Sequence, residues 1–222
     1  IVHNGLTRMY CQQEDLIYYI TVMNETYLMP PMPKGKDVRD GIIRGMYRFR
    51  PASLKKSKAK AHLLGSGAIL NEALKAQELL EKTYKIASDV WSVTSYKELY
   101  TDAIECERWN LINSGKKARV PYVQQLLAKE QGVFVAASDY MKVLPASVAQ
   151  WFPGPLHCLG TDGFGRSDGR DELRDFFEVD YRYIAIAALK QLDAAGEIEP
   201  GTVTRAIKEL NINSGKLNPH ND

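Results

Sequence analysis

Leu159-Gly160-Thr161-Asp162-Gly163-Phe164-Gly165-Arg166-Ser167-Asp168 joins an apolar run to a segment that opens with the acids Asp171 and Glu172. Glycines at 160, 163 and 165 let the backbone turn where a side chain would obstruct it. Ser167 or Asp168 is placed to cap a helix running through Phe177, whose opening acids suit the helix dipole. This is the outline of a strand-to-helix turn at the carboxyl edge of an α/β sheet, where ligands and neighbouring domains sit.

Working outward, Leu156 to Leu159 and Val133 to Ala137 read as strands. A helix over Met141 to Trp151 lies between them, ended by Pro153-Gly154-Pro155, and another spans Pro121 to Glu130. Ala61 to Leu64 is a strand and Gly65-Ser66-Gly67 a turn. Residues 69–84 then place Leu70, Ala73, Leu74, Gln77, Leu80 and Tyr84 near one helical face. Asp89 to Thr94 is a further strand, and Ser95 with Glu98 forms a capping box for the helix behind it. Residues 181–195 are apolar almost all round, so that helix is buried on several sides. Pro200 opens a last helix, and the tail from Asn213 is polar. This alternation predicts an α/β fold with a mostly parallel sheet and helices on both faces.

The first fifty residues read differently. Leu16 to Met23 is β-branched and aromatic, which predicts a buried strand. Met29-Pro30-Pro31-Met32-Pro33-Lys34-Gly35 is extended by its prolines and reads as a linker or an arm. Residues 42–50 suit a short edge strand, and the basic stretch from Arg48 to Lys60 a solvated loop between domains.

Composition narrows the function classes. A 222-residue chain with 45% hydrophobic and 25% charged residues is ordinary for a soluble globular protein. A net charge of +2 supplies no strong field, so neither nucleic acid nor an anionic membrane is expected as a partner. No apolar run approaches the ~20 residues that a membrane helix needs. Cys11, Cys106 and Cys158 lie far apart without a C-x-x-C pair, which suits a reduced, cytoplasmic setting and idle thiols. The opening, Ile1-Val2-His3-Asn4-Gly5, reads like the middle of something longer.

Three patterns resemble sites without completing them. Gly65-Ser66-Gly67 follows a strand but lacks the third glycine and the acidic ribose partner of a dinucleotide site. Asp162-Gly163 evokes the Gly-Asp-Gly that holds Mg²⁺ and diphosphate in thiamine diphosphate enzymes. Here Thr161 precedes the acid, the asparagine pair expected farther along is absent, and nothing else nearby supplies the converging oxygen ligands a hard cation needs. His3, His62, His157 and His220 are scattered without ligand spacing, and His62 and His157 read as structural histidines within strands. Glu105, Glu107 and Arg108 point to different helix faces, so ion pairing across an interface is expected of them rather than acid–base catalysis.

Several blocks together resemble the homodimeric pyruvate dehydrogenase family, the decarboxylating first component of the pyruvate dehydrogenase complex. They include Tyr18-Tyr19-Ile20-Thr21-Val22-Met23-Asn24-Glu25, Gly41-Ile42-Ile43-Arg44-Gly45-Met46-Tyr47 and Asp89-Val90-Trp91-Ser92-Val93-Thr94-Ser95. Glu107-Arg108-Trp109-Asn110, Ser138-Asp139-Tyr140-Met141-Lys142 and the Gly160-to-Asp168 run extend the resemblance over essentially the whole chain. It implies a transketolase carboxyl-terminal-domain-like three-layer sandwich with a mostly parallel mixed sheet, preceded by the tail of a pyrimidine-binding domain. Residues 1–50 would be that tail and its linker, and residues 51–222 the carboxyl-terminal domain.

The resemblance further implies that the full enzyme uses thiamine diphosphate and Mg²⁺ to decarboxylate pyruvate after glycolysis. It would then acetylate the lipoyl group of the acetyltransferase component. The thiamine motifs would lie in missing amino-terminal domains, so this segment is expected to bind no cofactor or metal and to serve packing, homodimerisation and assembly. Glu25 and Tyr27 match a stretch near the substrate channel, as a polar rim residue and a positioning group. Family members frequently carry a histidine soon after this glutamate, where Leu28 and Met29 stand here. Either the proton-handling histidine comes from another segment, or reductive acetylation proceeds differently. Trp109, Tyr140 and Phe164 are candidates for interface anchors or for core packing. Two other readings stay open: a stand-alone module holding an anion at the glycine turn, and part of another transketolase-type enzyme.

Overall fold

In the computed structural model, which describes residues 1–24 and 26–221, strand β2 (Lys60–Gly65) is the centre of the sheet. It pairs in parallel with β3 (Ala87–Val93) on one side and with β4 (Val133–Ala137) on the other. Strand β5 (Leu156–Leu159) extends the parallel sheet beyond β4. Strand β1 (Met46–Arg50) closes the far edge antiparallel to β3, giving the order β1-β3-β2-β4-β5. The sheet is therefore mixed and mostly parallel.

Its two faces follow from the alternation along each strand. Ala61, Leu63, Val90, Val135 and Ala137 face one core, built with helix α3 (Ile69–Lys82), helix α8 (Tyr181–Ala194) and Ala206 of helix α9 (Thr202–Glu209). Leu64, Trp91, Phe134 and Ala136 face the other, with helix α4 (Tyr96–Ile112) and helix α5 (Tyr122–Leu127). The result is a three-layer α/β sandwich. Ser95 caps α4 by accepting from the Glu98 amide at 3.1 Å. The return bond of a capping box is replaced, because the Ser95 amide donates to the Gly45 carbonyl instead.

Several elements depart from the sequence pattern. Residues 16–23 form no strand. Ile17, Tyr19 and Val22 are 94%, 90% and 85% exposed, and no strand among the described residues offers them a ladder. Before them, helix α1 (Val2–Leu6) continues as a π-helical turn over Thr7–Cys11, with the Tyr18 ring against Gly5. Helix α2 (Lys36–Arg44) takes the start of the proposed edge strand. Gly45, at φ 104°, makes the reversal in which a β-carbon would meet the Ser95 carbonyl at 2.5 Å.

The helix expected over 141–151 shortens to α6 (Val143–Ala146) and a 3₁₀ turn over Ala149–Trp151. The Ser147 hydroxyl takes the Leu144 carbonyl at 2.6 Å, the acceptor an α-helical Val148 amide would use, and that amide bonds Pro145 instead. Helix α7 (Arg170–Phe176) starts from Gly169, not from Ser167 or Asp168. The Asp168 carboxylate is spent on the adjacent Gly169 amide at 2.7 Å. Helix α9 begins at Thr202 from Gly201, two residues beyond Pro200. No helix among the described residues is long and apolar enough to cross a membrane.

Candidate functional site

The chain leaves β2 toward β3 on one side, while β4 leads on to β5 on the other, so the connections diverge between β2 and β4. Crevices at such a switch point are where open α/β sheets place ligands. Three loops meet there at the carboxyl edge: Gly65-Ser66-Gly67, Ser138-Asp139-Tyr140 and the glycine turn after β5. The Ser66 hydroxyl donates to Ser138 Oγ at 2.9 Å, and the Tyr140 amide donates to the same oxygen at 3.1 Å. The Thr161 hydroxyl donates to the Asp139 carbonyl at 2.6 Å, and the Thr161 amide to the Tyr140 carbonyl. Gly160 permits this approach, since a β-carbon there would stand 2.5 Å from the Tyr140 carbonyl oxygen.

These contacts decide what the edge can do. Asp162 Oδ1 accepts the Lys142 amide at 3.0 Å and Oδ2 faces Lys142 Nζ at 3.7 Å. That carboxylate is committed to one cationic residue, and the neighbouring hydroxyls are committed to protein partners. The donor set does not fit a Mg²⁺–diphosphate site. The Ser66 and Ser138 hydroxyls bond each other, and Ser138 Oγ also takes the Tyr140 amide. Burial pushes the Cys158 thiol up to about 11 and raises Cys106, which keeps both thiols protonated and unreactive. The three loops brace one another at this edge.

Phe164 stands on this surface 83% exposed, with Tyr140 47% exposed on the adjoining loop. Trp109 does not join them. It lies near the end of α4, which runs back to the opposite edge, half-buried beneath the Arg119 guanidinium at 4.4 Å. There Glu107 accepts from Trp151 Nε1 at 2.7 Å, an ion-pairing residue spent on an indole within the chain. Glu25 lies outside the described residues. Tyr27 is half-buried, and the neighbouring Asn24 is held by α7: Arg170 Nη2 donates to Asn24 Oδ1 at 2.5 Å. The structure thus brings Asn24 to the helix that follows the glycine turn.

A second cluster was not foreseen. His62, Asp89 and Glu130 offer ligand atoms within 4.8 Å of one another beneath Trp91. Lys60 Nζ already occupies the centre, 3.0 Å from both Asp89 Oδ2 and Glu130 Oε2, with Arg48 beside both acids. An ammonium thus fills the place of a metal ion. Burial opposes every charge here. The bonds from Glu130 and Asp89 nevertheless leave Lys60 raised, and the Ala52 amide, Lys60 and Arg48 leave Asp89 lowered. Glu130 is lowered by Lys60 and Arg48 against the same burial. His62 accepts from Trp91 Nε1 through Nδ1 at 3.2 Å and meets the Gln131 carbonyl through Nε2 at 3.0 Å. This pair of contacts selects the neutral tautomer protonated on Nε2, and burial lowers the pKa. The signal in the sequence was a polar residue inside each of two apolar strand runs, His62 and Asp89, which the parallel register sets opposite each other.

Comparison with known proteins agrees with this architecture. Residues 45–180 match the model of the transketolase-like TK C-terminal domain. The pyruvate dehydrogenase E1 component of Pseudomonas aeruginosa is 44% identical over 99% of this chain and 25% of its own length. That of Escherichia coli is 46% identical over 99% of this chain and 24% of its own. This chain therefore spans about a quarter of the length of these curated relatives. A Pichia stipitis transketolase structure aligns at 17% identity with a TM-score of 0.49, over 76% of this chain and 20% of that one. The sheet order, the two-sided helical cover and the family match together place this chain in the transketolase-like C-terminal domain family.

Proposed function

We propose that this chain is the carboxyl-terminal portion of a thiamine-diphosphate-dependent pyruvate dehydrogenase, which decarboxylates pyruvate and acetylates the lipoyl group of its acetyltransferase component. The observation that carries this reading is identity of 44–46% to pyruvate dehydrogenase E1 components along 99% of the chain. Residues 1–50 form the end of a pyrimidine-binding domain and its linker, whose last residues, Met46–Arg50, supply β1. Residues 51–222 form the carboxyl-terminal domain.

This portion serves packing, homodimerisation and assembly, while thiamine diphosphate and Mg²⁺ are held by amino-terminal domains of the same cytoplasmic polypeptide. The committed hydroxyls and carboxylates of the sheet edge support that division. Glu25 and Tyr27 stand at the rim of the active site. Exposed Phe164 and Tyr140 anchor a neighbouring domain or protomer at one sheet edge, and Trp109 at the other. The test is an assay of the longer polypeptide carrying this chain. Carbon dioxide release from pyruvate that requires thiamine diphosphate and Mg²⁺ is expected, with loss of turnover on Glu25→Gln. Calorimetry on the 222 residues alone should detect no thiamine diphosphate binding, and micromolar binding would overturn the division of labour.

A further inference from the structure

We infer that Arg170 is a positioning residue for the active-site rim, fixing Asn24, which neighbours the proposed rim residues, against the carboxyl-terminal domain. The inference rests on the function proposed above and adds a residue that the family resemblance did not supply. The contact is the 2.5 Å hydrogen bond from Arg170 Nη2 to Asn24 Oδ1, which joins positions 146 residues apart.

What makes it a clamp is the rigidity of its base. Arg170 is the first residue of α7, and that helix is fixed on several sides. Leu173 and Phe176 pack against the α3–α8 core. Asp175 pairs with Arg182 at 2.5 Å and faces Lys216 at 3.7 Å. The Arg166 guanidinium covers the Phe176 ring at 5.1 Å, and Lys216 approaches the same ring at 5.8 Å. The loop ahead is held too, because a β-carbon on Gly163, at φ 98°, would stand 2.5 Å from the Pro219 carbonyl.

The segment being held is the opposite case. Asn24 and residues 26–29 have no regular structure, Met23 and Leu28 are exposed, and prolines follow at 30, 31 and 33. Placing such a segment to within a fraction of an ångström needs an external partner, and small misplacement at a reacting centre is costly in rate. A guanidinium on a packed helix provides one, with a charge-assisted bond to a neutral amide.

The test uses the longer enzyme, with Arg170→Ala, Asn24→Ala, the double variant, Arg170→Lys, and Arg205→Ala as a control for lost surface charge. Each alanine variant should lower kcat/KM for pyruvate about tenfold, and the pair should cost no more than either alone. Thiamine diphosphate affinity and melting temperature should stay at the parent values, Arg170→Lys should recover part of the rate, and Arg205→Ala should match the parent. Limited chymotryptic cleavage after Tyr27 should quicken in Arg170→Ala. Unchanged kcat/KM in Arg170→Ala, additive losses in the double variant, or unchanged cleavage would each overturn the inference. A parent enzyme that fails to decarboxylate pyruvate would overturn the proposed function instead, and the cleavage rates would still decide the clamp.

Discussion

Replacing Lys60 with methionine probes the charged cluster most directly, because the methionine fills the aliphatic stem and removes only the ammonium. Asp89 and Glu130 then remain as two carboxylates whose ligand oxygens lie within 4.8 Å. At an effective dielectric of about 20, unit charges 4.8 Å apart repel by about 3.5 kcal/mol. Arg48 stays beside both acids, at 3.6 Å from Asp89 Oδ2, and offsets part of this. Lys60 is also 36% exposed, which lets water screen the gap. A net destabilisation of about 2 kcal/mol at neutral pH is expected after this discount.

The pH dependence separates charge repulsion from lost packing. In the parent both acids titrate below their ordinary range, so their stabilisation is complete above the unfolded carboxylate value and is lost as pH falls through the depressed values. Without Lys60 a carboxyl takes up a proton more readily in the folded state, so the deficit should shrink as the solution is acidified. Urea unfolding followed by tryptophan fluorescence at about pH 7.5 and about pH 4.5 measures it, with Trp91 beneath Arg48 as a local reporter. A deficit that stays constant or widens in acid would refute the assignment of the cluster as a charge-balanced unit.

Three further outcomes follow from geometry. His62 should show no titration of its ring protons near pH 6.5 by NMR, since burial lowers its pKa. Its contribution to stability is complete above the unfolded value of about 6.5 and erodes as pH falls toward the depressed one. Ser95→Ala removes the side-chain cap of α4 and should cost about 1 kcal/mol in chemical denaturation. Gly132→Ala should cost about 3 kcal/mol, because φ is 118° and the added carbon would overlap the Lys60 carbonyl. Parent-like stability in that variant would show that the loop before β4 yields freely.

Helix α3 was legible from its one apolar face after Gly67, α4 from the Ser95 cap, and α8 from a contiguous apolar run ending before Gly196. The segment 16–23 has the composition of a buried strand, yet composition reports only fitness for a pleated surface, and a strand exists where another backbone completes its ladder. The break after α6 turned on one hydroxyl competing for one carbonyl, a choice that hydrophobic spacing does not register. The glycine turn was placed correctly at the carboxyl edge, and its link to Asn24 through Arg170 depends on a contact no local pattern encodes. The Lys60–His62–Asp89–Glu130 cluster has the same origin. Each residue alone is ordinary, and the β2–β3 register together with the turn ahead of β4 that carries Glu130 makes them neighbours.

Strand β1 has a practical consequence for anyone trimming this polypeptide. It lies at the start of the residues that match the family model, and Met46, Tyr47, Arg48 and Arg50 pair with Val93, Ser92, Trp91 and Val90 of β3. A version starting after Arg50 would bare the amides and carbonyls of β3 along that side and lose Arg48 from above Trp91. Exposed apolar strand margins recruit one another, so the shortened protein should form soluble aggregates or precipitate, where one that keeps Met46–Arg50 sediments as a discrete species.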